Sequence, residues 1–253
     1  MLGSEGDVPA APDTGLTLVR HGQTGWHREN RYAGVTDLPL DEVGRTQALA
    51  LADWVREHPH DVVACSPLRR ARETAAASAR ALGLRPEVLP ALREMDFGLA
   101  EGRTLAEMRA DAPELTAAFV SDPVRHPFPG AEPSERAVGR VRDALRGLVD
   151  RHRGGSVLVV GHNTTLRMAL CDWLGIPLAR YRDVLPRLDN AAVTRLRVPA
   201  DPDRPPALLC LNVGVGTTLS SVPVAAGGST PAATYSIAAT FSPPTSFGSR
   251  RLR

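Results

Sequence analysis

Two short apolar runs, Leu16–Val19 and Val157–Val160, each break off at a histidine beside a glycine: Arg20-His21-Gly22 after the first, Gly161-His162-Asn163 after the second. A short run that is apolar but for Thr17 in the first of the two, ending in a polar loop, reads as a strand buried on both faces. That is how parallel sheet reads. The helical periodicity between the runs agrees. Asp41 is placed to cap a helix whose apolar face is Val43, Ala48, Leu49, Ala52 and Val55. A strand from Asp61 to Cys65 follows, then Ser66-Pro67, which reads as an N-cap with proline at the first helical position of a helix reaching Gly83.

Further on, the pattern predicts a short strand near Glu87 to Leu89, an irregular stretch from Ala91 to Pro133, and a long helix from Ser134 to His152. After the second apolar run, a helix passes through Leu166, Met168 and Leu170 to Gly175. Ala191 to Val198 and Ala207 to Val213 read as two closing strands joined by a Pro/Asp turn. Strands alternating with helices predict an α/β fold: a three-layer sandwich, its sheet mainly parallel, with helices on both faces.

At 253 residues, 43% of them hydrophobic, the chain has material for one large α/β domain. It contains no lysine, so all 30 basic side chains are arginines. Schiff-base and Walker-type lysine chemistry is thereby excluded. A net charge of +2 gives no electrostatic case for nucleic acid or a membrane as partner. Cys65, Cys171 and Cys210 form neither a disulfide framework nor a zinc pattern, and read as apolar packing in a reducing, cytoplasmic setting. Residues 1–14 read as a flexible extension without a signal peptide's apolar region, 15–213 as the folded domain, and 214–253 as a low-complexity tail expected to be disordered.

In open α/β sheets, the loops at the carboxyl ends of the strands converge on one crevice. Three such loops here carry Arg20-His21-Gly22, Ser66-Pro67-Leu68-Arg69-Arg70 and Gly161-His162-Asn163. Two histidines and several arginines are what phosphoryl transfer asks for, a nucleophile and cations around the equatorial oxygens. Glu94, in a turn-rich stretch after a short strand, can move the proton that those groups cannot.

The order of motifs resembles the histidine phosphatase superfamily, in its phosphoglycerate mutase-like branch. The resemblance spans about residues 15 to 213. It rests on Leu18-Val19-Arg20-His21-Gly22-Gln23-Thr24, Arg31-Tyr32-Ala33-Gly34 leading to Asp37-Leu38-Pro39-Leu40, Ser66-Pro67-Leu68 with Arg70, Glu94 with Gly98 and Glu101-Gly102, Pro129-Gly130-Ala131-Glu132, and Gly161-His162. It implies that His21 is the nucleophile, that Arg20, Arg70 and His162 hold the phosphoryl oxygens, and that Glu94 is the acid and then the base. It further implies phosphate contacts from Gly22, Thr24, His27, Arg31, Gly34 and Asn163. No metal or other cofactor is expected, the partner is a small phosphorylated metabolite, and a homodimer is the default assembly.

Trp26-His27 stands where the family usually has Trp-Asn, so an imidazole replaces an amide, and His27 either touches phosphate or faces water. The family's mutases also carry a Tyr and a lysine after the catalytic glutamate and an Arg-Arg pair further on. Here Phe97 follows and no lysine exists, which favours hydrolysis over isomerisation. The alternatives are a mutase-like phosphoryl transfer and a phospho-ligand binding or scaffold protein with little catalysis. Glu101 and Glu132 either bind substrate or hold turns.

Overall fold

The computed structural model describes residues 12–216. One six-stranded sheet contains β1 (Thr14–Arg20), β2 (Val62–Cys65), β3 (Glu87–Val88), β4 (Ser156–Gly161), β5 (Val193–Val198) and β6 (Ala207–Val213), in the order β3-β2-β4-β1-β5-β6. The first four in that order run parallel, and β5 and β6 close one side as an antiparallel hairpin. The helices are α1 (Glu42–Glu57), α2 (Arg69–Leu82), α3 (Leu105–Asp111), α4 (Pro113–Ser121), α5 (Ser134–Arg151), α6 (Asn163–Trp173) and α7 (Tyr181–Val184).

The alternation of side chains along β1 and β4 explains why both runs are apolar apart from Thr17, whose buried hydroxyl lies 2.9 Å from His60 Nε2. Leu16, Leu18, Val157 and Val159 join a core with Leu145 and Leu148 of α5 and Leu166 and Leu170 of α6. Val19, Leu158 and Val160 face the other way, onto Leu51 and Val55 of α1 and Ala71 and Ala75 of α2. Each such side chain contributes about 1.5–3 kcal/mol when fully buried, so a charge at any of these positions would break a layer. Cys65 packs in the same core, and burial pushes its thiol up to about 11.

Asp41 caps α1 as its sequence indicates, accepting from the Gly44 N–H at 2.8 Å. The start of α2 differs from expectation. Ser66 is not its N-cap and Pro67 is not its first residue: the helix begins at Arg69, with Leu68 at the cap position. The Ser66 hydroxyl is held by the Leu68 N–H (3.2 Å) and by His162 (2.7 Å). The cap comes from another loop, where Asp37 Oδ1 accepts the Arg69 N–H at 2.5 Å.

The stretch from 91 to 133 is more regular than its sequence suggests. It holds α3, closed by a Thr104/Glu107 capping box, and α4, which starts at Pro113. Among the described residues no helix is long and apolar enough to cross a membrane. Apart from 12–14 and 214–216, the extensions expected at 1–14 and 214–253 lie outside the described residues.

Candidate active site

Strand register assembles the site. β1 pairs with β4 so that Arg20 lies opposite Gly161, and β4 pairs with β2 so that Val160 lies opposite Cys65. His21 and His162, the next residues on β1 and β4, therefore sit side by side at the carboxyl edge, and Ser66, the residue after β2, falls beside Gly161 one step short of them. The His21 N–H donates to Gly161 O (3.0 Å) and the Ser66 N–H to Val160 O (3.0 Å), which continues the ladder into the loops. The two imidazole centroids are 5.1 Å apart.

His21 is buried, and its Nδ1–H donates to the carbonyl of Gly22 at 2.7 Å. A carbonyl can only accept, so the tautomer is fixed and Nε2 carries the lone pair. Burial first, then electrostatic repulsion from Arg70, the neighbouring His162 and Arg20, lowers its pKa well below the ordinary imidazole value. The ring is thus neutral and nucleophilic at pH 7. His162, fully buried, is lowered for the same reasons, burial first and then Arg70. Its Nε2 meets the Ser66 hydroxyl.

Arg20 gives one N–H to Leu188 O (2.7 Å), and its Nη2 lies 2.6 Å from His27 Nε2. Burial brings its pKa down to about 10, still protonated at neutral pH. Arg70 has no exposed surface, and it holds the loop before α1 by donating to Thr36 O (2.7 Å), Gly34 O (2.7 Å) and Ala33 O (3.1 Å). The Nε of each arginine is buried without a partner among the described residues, which leaves donors for an anion.

Glu94 is held at the N-terminus of α6. Its two oxygens accept from the backbone N–H of Met95 (2.9 Å), Thr164 (2.9 Å) and Thr165 (3.0 Å). It lines the same cleft as Arg20, His21, His27, Arg31 and Asn163.

The remaining expected phosphate contacts are differently placed. The Gly22 N–H is spent on Thr74 Oγ1 (3.0 Å), and its missing Cβ matters because Gly44 O would lie 2.6 Å away. The Gly34 N–H goes to Glu101 (2.9 Å), and Thr24 Oγ1 is 2.9 Å from His27 Nδ1. Asn163 Oδ1 accepts from the Leu188 N–H (2.9 Å). Arg31 is engaged by Glu29 and Glu107. Gly22, Gly34, Thr24 and Arg31 thus do not present their groups freely to an anion, whereas Asn163 lines the cleft and its bond to Leu188 leaves the amide N–H groups as donors. His27 does enter the cleft, 5.7 Å from His21 between ring centroids. Burial, and then Arg20, lowers it to about 4, so it is a neutral acceptor facing Arg20.

Glu101 and Glu132 hold turns. Glu101 gathers the N–H groups of Gly34, Val35, Thr36 and Phe97, while buried Glu132 pairs with Arg93 and Arg140. Two positions were missed as site residues. Ser66 was read as a cap, and Asn190, whose amide donates to His21 O (2.8 Å), precedes β5. The signal was available for Asn190, since an antiparallel closing strand begins at the edge where its parallel neighbour ends. Among the described residues no three His, Cys, Asp or Glu side chains cluster as a metal set.

The family model for the histidine phosphatase superfamily, branch 1, matches residues 16–208. The chain belongs to that family. Phosphoserine phosphatase 1 of Hydrogenobacter thermophilus is similar to this histidine phosphatase, 32% identical over 166 residues, 66% of this chain and 79% of that protein. The protein named "Probable phosphoglycerate mutase" of Erwinia tasmaniensis is 31% identical over 179 residues, 71% of this chain and 82% of that one. The solved structure of mycobacterial glucosyl-3-phosphoglycerate phosphatase matches with a TM-score of 0.71 at 29% identity, covering 79% of this chain and 99% of that chain. The mixed sheet with helices on both sides is the fold of these structural neighbours. In the broad sense the chain is a phosphatase, an enzyme of phosphoryl transfer.

The buried imidazoles have a consequence for stability. In the unfolded chain each titrates near 6.5, whereas His21 and His162 titrate well below that when folded, and His27 and His60 near 4. Below pH 6.5 the unfolded chain therefore binds more protons, and stability falls on acidification. The slope approaches about 1.4 kcal/mol per pH unit for each fully buried histidine only well below pH 6.5, so each contributes about 1.4 kcal/mol in all between pH 7.5 and 5.5. Thermal melts at pH 7.5 and 5.5, a range in which carboxylates barely titrate, should show a lower midpoint at 5.5. Equal midpoints would mean that these rings take up protons in the folded protein as readily as in the unfolded chain.

Proposed function

We propose that the protein hydrolyses a small phosphorylated metabolite, a phosphomonoester, through a phosphohistidine on His21 and without a metal ion. The observation that carries this reading is the tautomer of His21. With Nδ1–H tied to Gly22 O, the lone pair is on Nε2 of a ring whose charged neighbours are Arg70 and Arg20, and that ring shares one cleft with Arg20 and the Glu94 carboxyl. In the first transfer Nε2 attacks phosphorus, the P–O ester bond breaks, and the leaving oxygen takes the proton of the Glu94 carboxylic acid, which becomes a carboxylate. In the second, Glu94 removes a proton from water, whose oxygen attacks phosphorus. The P–N bond then breaks, orthophosphate leaves, and the electron pair returns to His21.

Charge neutralisation at the equatorial oxygens falls to the two guanidinium groups, the task that a divalent ion performs elsewhere, with the neutral His162 ring adding a hydrogen bond. Hydrolysis is favoured over isomerisation because Phe97 and the missing lysine deprive a reorienting monophosphate of its grips. The test is release from p-nitrophenyl phosphate after dialysis against EDTA. The expected rate is within about twofold of the untreated enzyme's, since no step passes through a metal. Complete loss, restored by adding a divalent ion, would overturn the metal-free mechanism.

A further inference from the structure

The outer wall of the cleft, where the alcohol part of the ester would lie, is built from Trp26, Asn30, Arg31, Tyr32 and Leu105. Arg31 is the one guanidinium in that wall besides Arg20, and its donors are all spent. Nε and Nη2 contact Glu29 Oε2 at 2.8 and 2.7 Å. Nη1 and Nη2 fork onto the two oxygens of Glu107 at 3.0 Å each, and Nη1 also donates to Gly102 O at 2.8 Å. Five N–H groups meet five acceptor contacts.

Glu107 is not free to swing aside. Its carboxylate also accepts the Thr104 N–H at 2.9 Å as part of the capping box that starts α3. Two carboxylates on one guanidinium leave this part of the wall with a net negative charge. His27 adds nothing positive, because Arg20 and burial keep it neutral. What the wall does offer is an indole, a phenol ring, an aliphatic side chain and the Asn30 amide.

Resting on the phosphatase reading above, we infer that this site selects phosphomonoesters whose alcohol part carries no second anionic group, and discriminates against carboxylate-bearing ones through the Glu29–Arg31–Glu107 cluster. A hydroxyl-rich or ring-bearing alcohol fits a wall of aromatic faces and amides. A carboxylate there must either displace one of two glutamates from Arg31 or lie beside them unpaired.

Two pairs of probes isolate the carboxylate. Glycerol 3-phosphate and 3-phosphoglycerate differ in having a hydroxymethyl or a carboxylate, and phosphoethanolamine is phosphoserine without its carboxylate. The expected result is a kcat/KM about tenfold higher for the carboxylate-free member of each pair at low ionic strength, shrinking as salt screens the cluster. Glu29→Gln and Glu107→Gln should each narrow the ratio by about threefold, leaving p-nitrophenyl phosphate hydrolysis unchanged. Glu29→Gln spares the α3 cap, so it tests the charge even if Glu107→Gln unfolds α3.

Equal or better hydrolysis of the carboxylate-bearing members, or ratios insensitive to both variants, would overturn the inference while p-nitrophenyl phosphate turnover leaves the phosphatase reading standing. Absence of p-nitrophenyl phosphate turnover would instead remove the reading on which it rests.

Discussion

His21→Ala should abolish turnover of every phosphomonoester, with a loss on the order of 10⁵-fold in kcat, as for other enzymes stripped of their nucleophile. The size follows from the chemistry left behind. Arg20, Arg70 and His162 would still bind an anion, but nothing else in the cleft offers a lone pair in line with phosphorus: His162 Nε2 is engaged by Ser66, and His27 Nε2 by Arg20. Orthophosphate should therefore still inhibit or bind, which separates a missing nucleophile from a collapsed site.

The fold should survive, because the backbone of His21 keeps its bonds to Gly161 and Asn190. Rapid acid-free quenching of the wild type should trap phosphate on His21, and the variant should trap none. Residual activity above about one part in a hundred in the variant would assign the nucleophile elsewhere.

Much of this geometry was legible because burial on two faces leaves a mark in sequence. Val19 and Val160 must be apolar where they face α1 and α2, and Leu18 and Val159 where they face α5 and α6, so the runs are broken only by Thr17 and end where the sheet ends. The histidines beyond them inherit their positions from register. Asp41 was legible because its cap is local, three residues from the N–H it accepts.

Long-range polar bonds leave no comparable trace. Nothing near Arg69 announces that Asp37 caps it from 32 residues away, so Ser66 was credited with that duty. Nothing near Gly22 or Gly34 announces that Thr74 and Glu101 consume their N–H groups. The expectation that these glycines bind phosphate came from motif position, and motif position does not count donors. α3 and α4 escaped notice for another reason. Each is short, but the Thr104/Glu107 box and Pro113 were both in view.

Glu94→Gln should lower kcat/KM for alkyl phosphates by about 10²–10⁴-fold, the usual worth of a positioned general acid. For p-nitrophenyl phosphate the first transfer should fall much less, since that leaving group departs with little help from a proton. The second transfer has no such relief, because water must lose a proton whatever the first leaving group was. Phosphohistidine should therefore accumulate, seen as a burst of p-nitrophenol equal to the enzyme present, followed by slow turnover.

The variant also perturbs structure, and the burst separates the two effects. Glu94 accepts N–H groups from Thr164 and Thr165 at the start of α6, and a glutamine must turn its amide nitrogen toward one set of those donors. Losing that acceptor at a helix N-terminus costs about 1 kcal/mol, visible as a lower melting midpoint. Such a loss alone would slow alkyl and aryl esters equally and produce no burst. An equal loss without a burst would make Glu94 a positioning residue for His162 and α6, and the proton would have to travel by another group.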